Sequence, residues 1–136
     1  MKCHHHLYGN MFNGEEELIR QNITYSGKTT IEEDTTQSNE NYISEAENEN
    51  AILVKAGTAT ILNSTINKSG EIDNENGNFY GTNAAVLVHN GATLNIENSS
   101  INTNGNYANG VFAYGKGEIV ISNSTIKTTK EHSRSD

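Results

Sequence analysis

A four-residue motif, Asn-Ser-(Ser/Thr)-Ile, constrains the fold of this chain more than any other feature of its sequence. Its copies begin at Asn63, Asn98 and Asn123, so the first two are 35 residues apart and the last two 25. An isoleucine stands two residues before each of these asparagines, and an Ala, Leu or Ile stands four residues before it. Alternation with period two predicts β-strands. A fixed repeat that keeps its apolar positions in register is typical of a solenoid.

Each repeat is predicted to contain three short strands separated by bends. The first strands are predicted at 52–54, 86–88 and 111–113, the second at 59–62, 94–97 and 119–122, and the third around Ile66, Ile101 and Ile126. Glycines mark the bend between the first two strands, at Gly57, Gly91 and Gly115/Gly117. Three strands and three bends in about 25 residues make one coil of a parallel β-helix. The predicted fold class is all-β, a solenoid of about three to four coils.

The chain is divided into an N-terminal tail or cap at 1–20 and a β-helix domain at 21–136. Short strands at 28–32 and 41–44 are predicted to form a first coil that leads into Ile52. Apolar residues at 7–19 are expected to cover the N-terminal coil, because terminal coils expose unpaired strand edges. The polar sequence after Ile126 offers no such cover, so we expect marginal stability, and self-association or further coils at the C-terminal edge. The domain is interpreted as a fragment of a longer solenoid.

Asn63, Asn98 and Asn123 are predicted to form a structural ladder at the bend between the second and third strands. Asparagine tolerates the left-handed backbone that a sharp bend requires. Stacked amides also bond one another along a column, as they do in cross-β structures. We therefore expect these side chains to line the turn or to point inward.

Charge and composition exclude several function classes. The 136 residues carry a net charge of −8 with only nine Lys and Arg, so neither nucleic acid nor an anionic membrane is an expected partner. No apolar run is long enough to cross a membrane, and the N-terminus lacks the apolar stretch of a signal peptide. The single cysteine, Cys3, has no partner for an intrachain disulfide.

An acidic, Asn- and Gly-rich insertion between Asn67 and Asn83 accounts for the longer first spacing. Insertions in solenoids fall in loops on one face, which is often the binding face. Its Glu71, Asp73 and Glu75 offer oxygen ligands for Ca²⁺. A solvated loop is the favoured interpretation, and no metal or cofactor is predicted.

Tyr80, Tyr107 and Tyr114 are the candidate ligand-binding residues. Exposed beside polar amides, their rings suit sugars, which stack on aromatic faces and form hydrogen bonds through their hydroxyls. The alternative is that the three rings lie over coil edges and bind nothing.

No catalytic site is predicted. His4, His5 and His6 are consecutive and point in different directions, which is typical of a tail and not of a zinc site. The three aspartates are far apart in the repeat, and Glu97 and Glu118 occupy ordinary strand-edge positions. The preferred interpretation is therefore a non-catalytic module. The alternative is a polysaccharide-degrading lyase or hydrolase.

Four stretches are typical of one group of proteins: YSG at 25–27, EDTT at 33–36, FYGTNAAVLV at 79–88 and ANGVFAYGKG at 108–117. Through them the chain, from about residue 25 to residue 136, resembles large extracellular right-handed β-helix proteins of bacteria with the pectate-lyase-like architecture, often labelled adhesin-like or carbohydrate-binding. No catalytic set accompanies these motifs. The resemblance implies right-handed coils and a secreted or cell-surface protein that serves adhesion, carbohydrate binding or a structural stalk. The chain departs from the family by lacking an export signal and by ending at HSRSD, where such proteins begin another coil.

Overall fold

The structure is a computed structural model that describes residues 11–13, 25–70, 81–104 and 108–129. In these ranges there are thirteen strands and no helix. In chain order the strands are β1 (Met11–Asn13), β2 (Gly27–Ile31), β3 (Thr35–Ser38), β4 (Asn41–Ser44), β5 (Asn50–Val54), β6 (Thr58–Leu62), β7 (Thr65–Lys68), β8 (Val86–Val88), β9 (Thr93–Glu97), β10 (Ser100–Thr103), β11 (Val111–Ala113), β12 (Glu118–Ser122) and β13 (Thr125–Thr128). From β2 onward, each set of three strands forms one coil.

Successive coils stack into three parallel sheets. The first sheet has the strand order β1-β11-β8-β5-β2, the second β12-β9-β6-β3, and the third β13-β10-β7-β4. Equivalent residues of the sequence repeat are direct partners, so Ile66 pairs with Ile101, and Ile101 pairs with Ile126. The prediction of a parallel β-helix is confirmed, with four coils and three strands per coil.

Inward side chains of the second, third and fourth coils fill a continuous apolar core. Buried and partly exposed residues alternate along β6, β9 and β12, as period-two sequences require. The isoleucines that precede the Asn-Ser motif all point inward: Ile61 and Ile96 have no exposed surface, and Ile121 keeps 3%. Full burial of one such side chain stabilises the fold by roughly 1.5–3 kcal/mol.

The first sheet differs from the other two because both of its faces are buried at three of its strands. Every residue of β5, β8 and β11 is buried. Leu53, Leu87 and Phe112 stack in register on the outer face and form a second apolar cluster, which Ala84, Tyr114 and Tyr25 complete. The backbone at Gly81 approaches this cluster so closely that an added Cβ would lie 2.5 Å from the Phe112 ring.

The first coil follows the same backbone path with different inward residues. In register, Thr29 pairs with Ile52, Gln37 with Ile61, and Tyr42 with Ile66. The Tyr42 hydroxyl donates a hydrogen bond to Oε1 of Gln37. Strand β3 was not predicted because its sequence, Thr-Thr-Gln-Ser, has no alternation of apolar and polar residues.

Strand β1 lies at the opposite end of the solenoid from its predicted place. Met11 pairs with Val111, and Asn13 pairs with Ala113, so β1 adds a fifth strand to the first sheet beyond the last coil. The expectation that the N-terminal segment covers the N-terminal coil is therefore wrong for Met11–Asn13. An unpaired parallel edge has backbone groups to satisfy, and the chain's own N-terminal strand satisfies them here. The other residues of the predicted tail at 1–20, His4–6 included, lie outside the described residues.

The last coil is also less open than predicted. Val111 and Ile119 have no exposed surface, and Ile121 is almost fully buried. Ile126, the apolar residue of β13, is partly exposed. Within the described residues, β12 and β13 are the outermost strands of the second and third sheets at this end.

Candidate functional site

Tyr114 is buried, which corrects the expectation that it is exposed for sugar stacking. It has no exposed surface, and its ring centroid lies 5.8 Å from that of Phe112 and 6.3 Å from that of Tyr25. The reason is that the outer face of the first sheet is itself a packed apolar surface. Tyr80 and Tyr107, the two other candidates, lie outside the described residues.

His89 follows β8 as Tyr114 follows β11, and it belongs to the same covered region. Its ring is half-buried, with its centroid 5.0 Å from that of Tyr25. Burial lowers the pKa of His89 below its ordinary value, and the positive charge of Lys55 lowers it further. Its Nε2 atom has no hydrogen-bond partner among the described residues. The ring is thus packed in its neutral form beside an aromatic neighbour.

Asn63, Asn98 and Asn123 lie at the bend between the second and third sheets. Their φ angles are 49°, 50° and 52°, which is the left-handed conformation expected of them. All three are exposed, so they line the turn and do not point inward. Their backbone N–H groups link the coils: that of Asn63 donates to the carbonyl of Glu97 at 3.0 Å, and that of Asn98 to the carbonyl of Ser122 at 3.2 Å.

A serine ladder, formed by Ser64, Ser99 and Ser124, supplies the side-chain bonds between coils at this bend. The N–H of Ser64 donates to Oγ of Ser99 at 3.0 Å, and the N–H of Ser99 donates to Oγ of Ser124 at 3.0 Å. Each serine hydroxyl in turn donates to the carbonyl two residues earlier, at 2.8–2.9 Å. The sequence carried the signal, because a serine follows the asparagine in all three copies, but only the asparagine was interpreted.

Stacked amides do occur, on the outer face of the third sheet and not at the bend. Nδ2 of Asn102 donates to Oδ1 of Asn67 at 3.1 Å, and Nδ2 of Asn67 reaches Oδ1 of Asn41 at 3.5 Å. Among the described residues, the three bend asparagines make no such side-chain bond. The amide stacking predicted for the bend asparagines therefore occurs at other asparagines, on the outer face of the third sheet. Side chains at paired strand positions project in parallel about 4.8 Å apart, whereas left-handed residues at a corner splay outward.

A shallow surface groove runs along this bend across the second to fourth coils, and we call it the ladder groove. Its volume is about 570 Å³. Its lining consists of Asn63, Ser64, Thr65, Asn98, Ser99, Ser100 and Asn123. Every lining side chain is neutral and polar, so the groove offers hydrogen-bond donors and acceptors without a charge or an apolar wall.

Lys68 is the one buried cation in the described part of the chain, with 1% of its surface exposed. Its Nζ donates to the carbonyls of Ala46 and Ser69 at 2.6 and 2.8 Å and to Oγ of Ser44 at 3.3 Å. Burial lowers the pKa of Lys68 to about 8, while the charge of Glu49 opposes the shift. Three acceptors satisfy the three N–H groups of the ammonium. Lys68 therefore links the end of β7 to the end of β4 and to Ala46 after it, and it is not free for catalysis.

The two ends of the predicted insertion are held by buried asparagines. Nδ2 of Asn83 donates to the carbonyl of Gly70 at 2.9 Å, and Nδ2 of Asn50 donates to the carbonyl of Gly81 at 3.0 Å. Glu71, Asp73 and Glu75, which were considered as Ca²⁺ ligands but not favoured, lie outside the described residues.

The glutamates considered for catalysis are not brought together. Glu97 ends β9, and Glu118 begins the neighbouring strand β12, opposite Thr93. Four residues along a strand separate the two positions by about 13 Å. Paired carboxylates in glycoside hydrolases stand about 5–9.5 Å apart. Within the described ranges no group of three or more His, Cys, Asp or Glu is placed to hold a metal ion, and no helix is long and apolar enough to span a membrane.

The fold and the groove together define a class, a parallel β-helix with a neutral polar groove along one corner. Comparison of the chain with family models, with curated proteins and with solved structures gave no match. The resemblance to extracellular β-helix proteins therefore stays a prediction from sequence.

Proposed function

We propose that this protein is a non-catalytic, secreted or cell-surface β-helix module that binds a neutral carbohydrate polymer along the ladder groove. The observation that carries the proposal is the uniform lining of that groove by Asn, Ser and Thr over three coils. Sugar hydroxyls both donate and accept hydrogen bonds, as these side chains do. A groove that repeats its lining at each coil suits a ligand that also repeats.

The charge of the protein favours a neutral polymer. The net charge is −8, and none of the described residues that line the groove is cationic. Acidic polysaccharides would meet like charge without a compensating Lys or Arg. The proposed extracellular location rests on the sequence resemblance, and an adhesin-like or stalk role in a larger surface protein is compatible with it.

Glycan-array and pull-down binding of the full chain to neutral and acidic polysaccharides tests the proposal. Asn63→Gly and Asn98→Gly remove groove amides while keeping the left-handed backbone, because glycine adopts positive φ without strain. We expect each to weaken binding to a neutral polymer by about two- to tenfold, as loss of one or two hydrogen bonds does. Asn90→Gly is the matched control, since Asn90 is exposed with φ 58° at another corner.

Several outcomes would count against the proposal. Binding that is unaffected by the groove variants but lost in Tyr80→Ala or Tyr107→Ala would move the site to the predicted tyrosines. Absence of binding to every polymer would leave the stalk role. Turnover of a polysaccharide, abolished by Glu97→Gln or Glu118→Gln, would favour the alternative of a lyase or hydrolase.

We further propose that self-association or further coils at the C-terminal end involve the second and third sheets. Strand β1 already occupies the edge of β11, whereas β12 and β13 are outermost among the described strands. Sedimentation over a concentration series measures this association. A strict monomer at high concentration would contradict it.

A further inference from the structure

The end of the solenoid at the first coil is a polar pocket, which we call the first-coil mouth. Its volume is about 520 Å³. Its lining consists of Lys28, Thr29, Gln37, Glu40, Asn41, Tyr42 and Ile43. This volume lies within the range of about 300–1,000 Å³ that is typical of small-molecule sites.

The floor of the mouth is made by residues that continue the columns of the apolar core. Thr29, Gln37 and Tyr42 occupy register positions that are Ile or Val in each of the three following coils. The change thus affects one position in each of the three sheets at the same level, while Ile31 keeps a second inward position of the first sheet apolar. An isolated buried polar residue would be costly, but three that converge on one open pocket create a preformed set of hydrogen-bonding groups.

The hydrogen-bonding capacity of the floor is only partly used. The hydroxyl of Tyr42 donates to Oε1 of Gln37, so the amide N–H groups of Gln37 and the acceptor capacity of the Tyr42 oxygen are not used by this bond between two lining residues. Among the described residues, the Gln37 amide nitrogen has no other partner. The floor therefore offers two amide N–H donors, a phenol acceptor and a Thr29 hydroxyl that does both.

We propose that the first-coil mouth binds a single neutral sugar ring, as a monosaccharide or as the end of a glycan chain. The uncharged floor disfavours an ionised ligand, because a desolvated charge needs a charged or strongly hydrogen-bonded partner. The charged side chains Lys28 and Glu40 are exposed and stand at the rim. Ile43, with 45% of its surface exposed, adds an apolar contact for the ring's C–H face. The site is separate from the ladder groove and does not depend on binding there.

Titration of the full ¹⁵N-labelled chain with glucose, galactose, mannose and N-acetylglucosamine tests this site, with galacturonate as the charged comparator. We expect saturable shifts of the Gln37 side-chain amide and the Tyr42 backbone signal with at least one neutral sugar. Tyr42→Phe removes only the hydroxyl, and Gln37→Leu restores an apolar side chain like those of the following coils. Each should weaken binding about two- to tenfold. Thr36→Val is the control, because Thr36 neighbours Gln37 on the exposed face of the same strand.

The outcomes separate the two proposed sites. Saturable shifts confined to Asn63 and Asn98 would place monosaccharide binding in the ladder groove and overturn the first-coil mouth as a site. No saturable shift with any neutral sugar, or equal affinity in Tyr42→Phe and Gln37→Leu, would overturn it as well and leave the polar floor the role of solvating the end of the core. Polymer binding that survives both floor variants, together with lost monosaccharide binding, would support both sites independently.

Discussion

The first coil and the three coils after it share a backbone and differ in what they place inside. Strands β2, β3 and β4 pair in register with β5, β6 and β7, so the path of the chain is the same. Inside, the later coils carry Ile, Val, Leu and Ala, whereas the first coil carries Thr29, Gln37 and Tyr42 in addition to the buried Ile31. The backbone ladder and the bends are therefore sufficient to extend the solenoid by one coil without a full apolar layer.

The two regions also share hydrogen bonds at the corners of the coils. The first coil is linked to the second by polar contacts at its corners: the N–H of Thr58 donates to Oδ1 of Asp34 at 2.8 Å, and the N–H of Glu40 donates to Oγ of Ser64 at 3.1 Å. A hydrogen bond contributes about 0.5–1.5 kcal/mol net. The Glu40–Ser64 bond repeats the contact that the serine ladder makes between the later coils, so the first coil keeps this corner bond although it lacks a full apolar layer.

The largest expected effect is a loss of stability on truncating a core residue of the third coil, which a change in the first coil should not reproduce. Ile96→Ala in the third coil removes a fully buried side chain, so we expect the free energy of unfolding to fall by about 2–5 kcal/mol. Gln37→Leu changes the same core column in the first coil. It should leave stability within about 1 kcal/mol or raise it, because it extends an apolar column. Urea unfolding followed by circular dichroism measures both.

Asn95→Ala is the control for this comparison, because Asn95 neighbours Ile96 and points outward from the same strand. A change of less than about 0.5 kcal/mol is expected there. If Ile96→Ala and Gln37→Leu lowered the free energy of unfolding equally, the expected difference between the two regions would be wrong. The first coil would then have to contribute to the same cooperative core as the later coils.

The sequence predicted the fold well wherever an apolar period of two was present. The three complete repeats gave their strands and the Gly57 and Gly91 bends, whose φ angles are 80° and 76°. Strand β3 was missed because its inward residues are polar. Strand β1 was misplaced because its partner, β11, lies nearly the whole chain away, and local pattern carries no information about such pairing.

The site was less predictable for two physical reasons. Tyr114 was expected at the surface because outward positions of a strand are usually exposed, yet the outer face of the first sheet is covered. The asparagine motif identified the bend, but the side chains that accept hydrogen bonds from the neighbouring coil there are those of Ser99 and Ser124. Which of two adjacent polar residues bonds to the next coil depends on the direction in which the corner turns its side chains.

Lys68 connects the second coil to the first, since its acceptors Ser44 and Ala46 belong to the first coil. Its pKa is about 8 in the folded chain and about 10.4 when unfolded, so the unfolded state binds more protons between these values. Stability should therefore rise with pH from about 8 to about 10, by about 1–3 kcal/mol. Urea unfolding at pH 7, 8, 9 and 10 measures the rise, and Lys68→Met should abolish it. Parallel pH profiles for both proteins would contradict the assignment.

Tyr42 gives a smaller effect of the opposite sign. Burial is the main cause that raises the pKa of Tyr42 to about 12, and the charge of Glu40 contributes a smaller part of the rise. The folded state then holds the phenol proton between about pH 10 and 12, where the unfolded state loses it, so stability should fall as pH rises through this window by about 1–2 kcal/mol. Tyr42→Phe should remove that fall while preserving the rise due to Lys68. A wild-type profile that does not bend downward above pH 10 would show that water reaches the phenol freely.

The smallest expected effect concerns His89, on the covered outer face of the first sheet. Burial and Lys55 lower its pKa in the folded chain, so below about pH 6.5 the unfolded state takes up a proton that the folded state resists. Stability should consequently fall as pH decreases through that window, by less than about 1 kcal/mol because the ring is only half-buried. His89→Phe keeps an aromatic ring beside Tyr25 and cannot titrate, so the difference in unfolding free energy between the two proteins should grow from pH 7 to pH 5. A constant difference would mean that His89 is solvated in the folded chain, and that the cover over the first sheet ends before this residue.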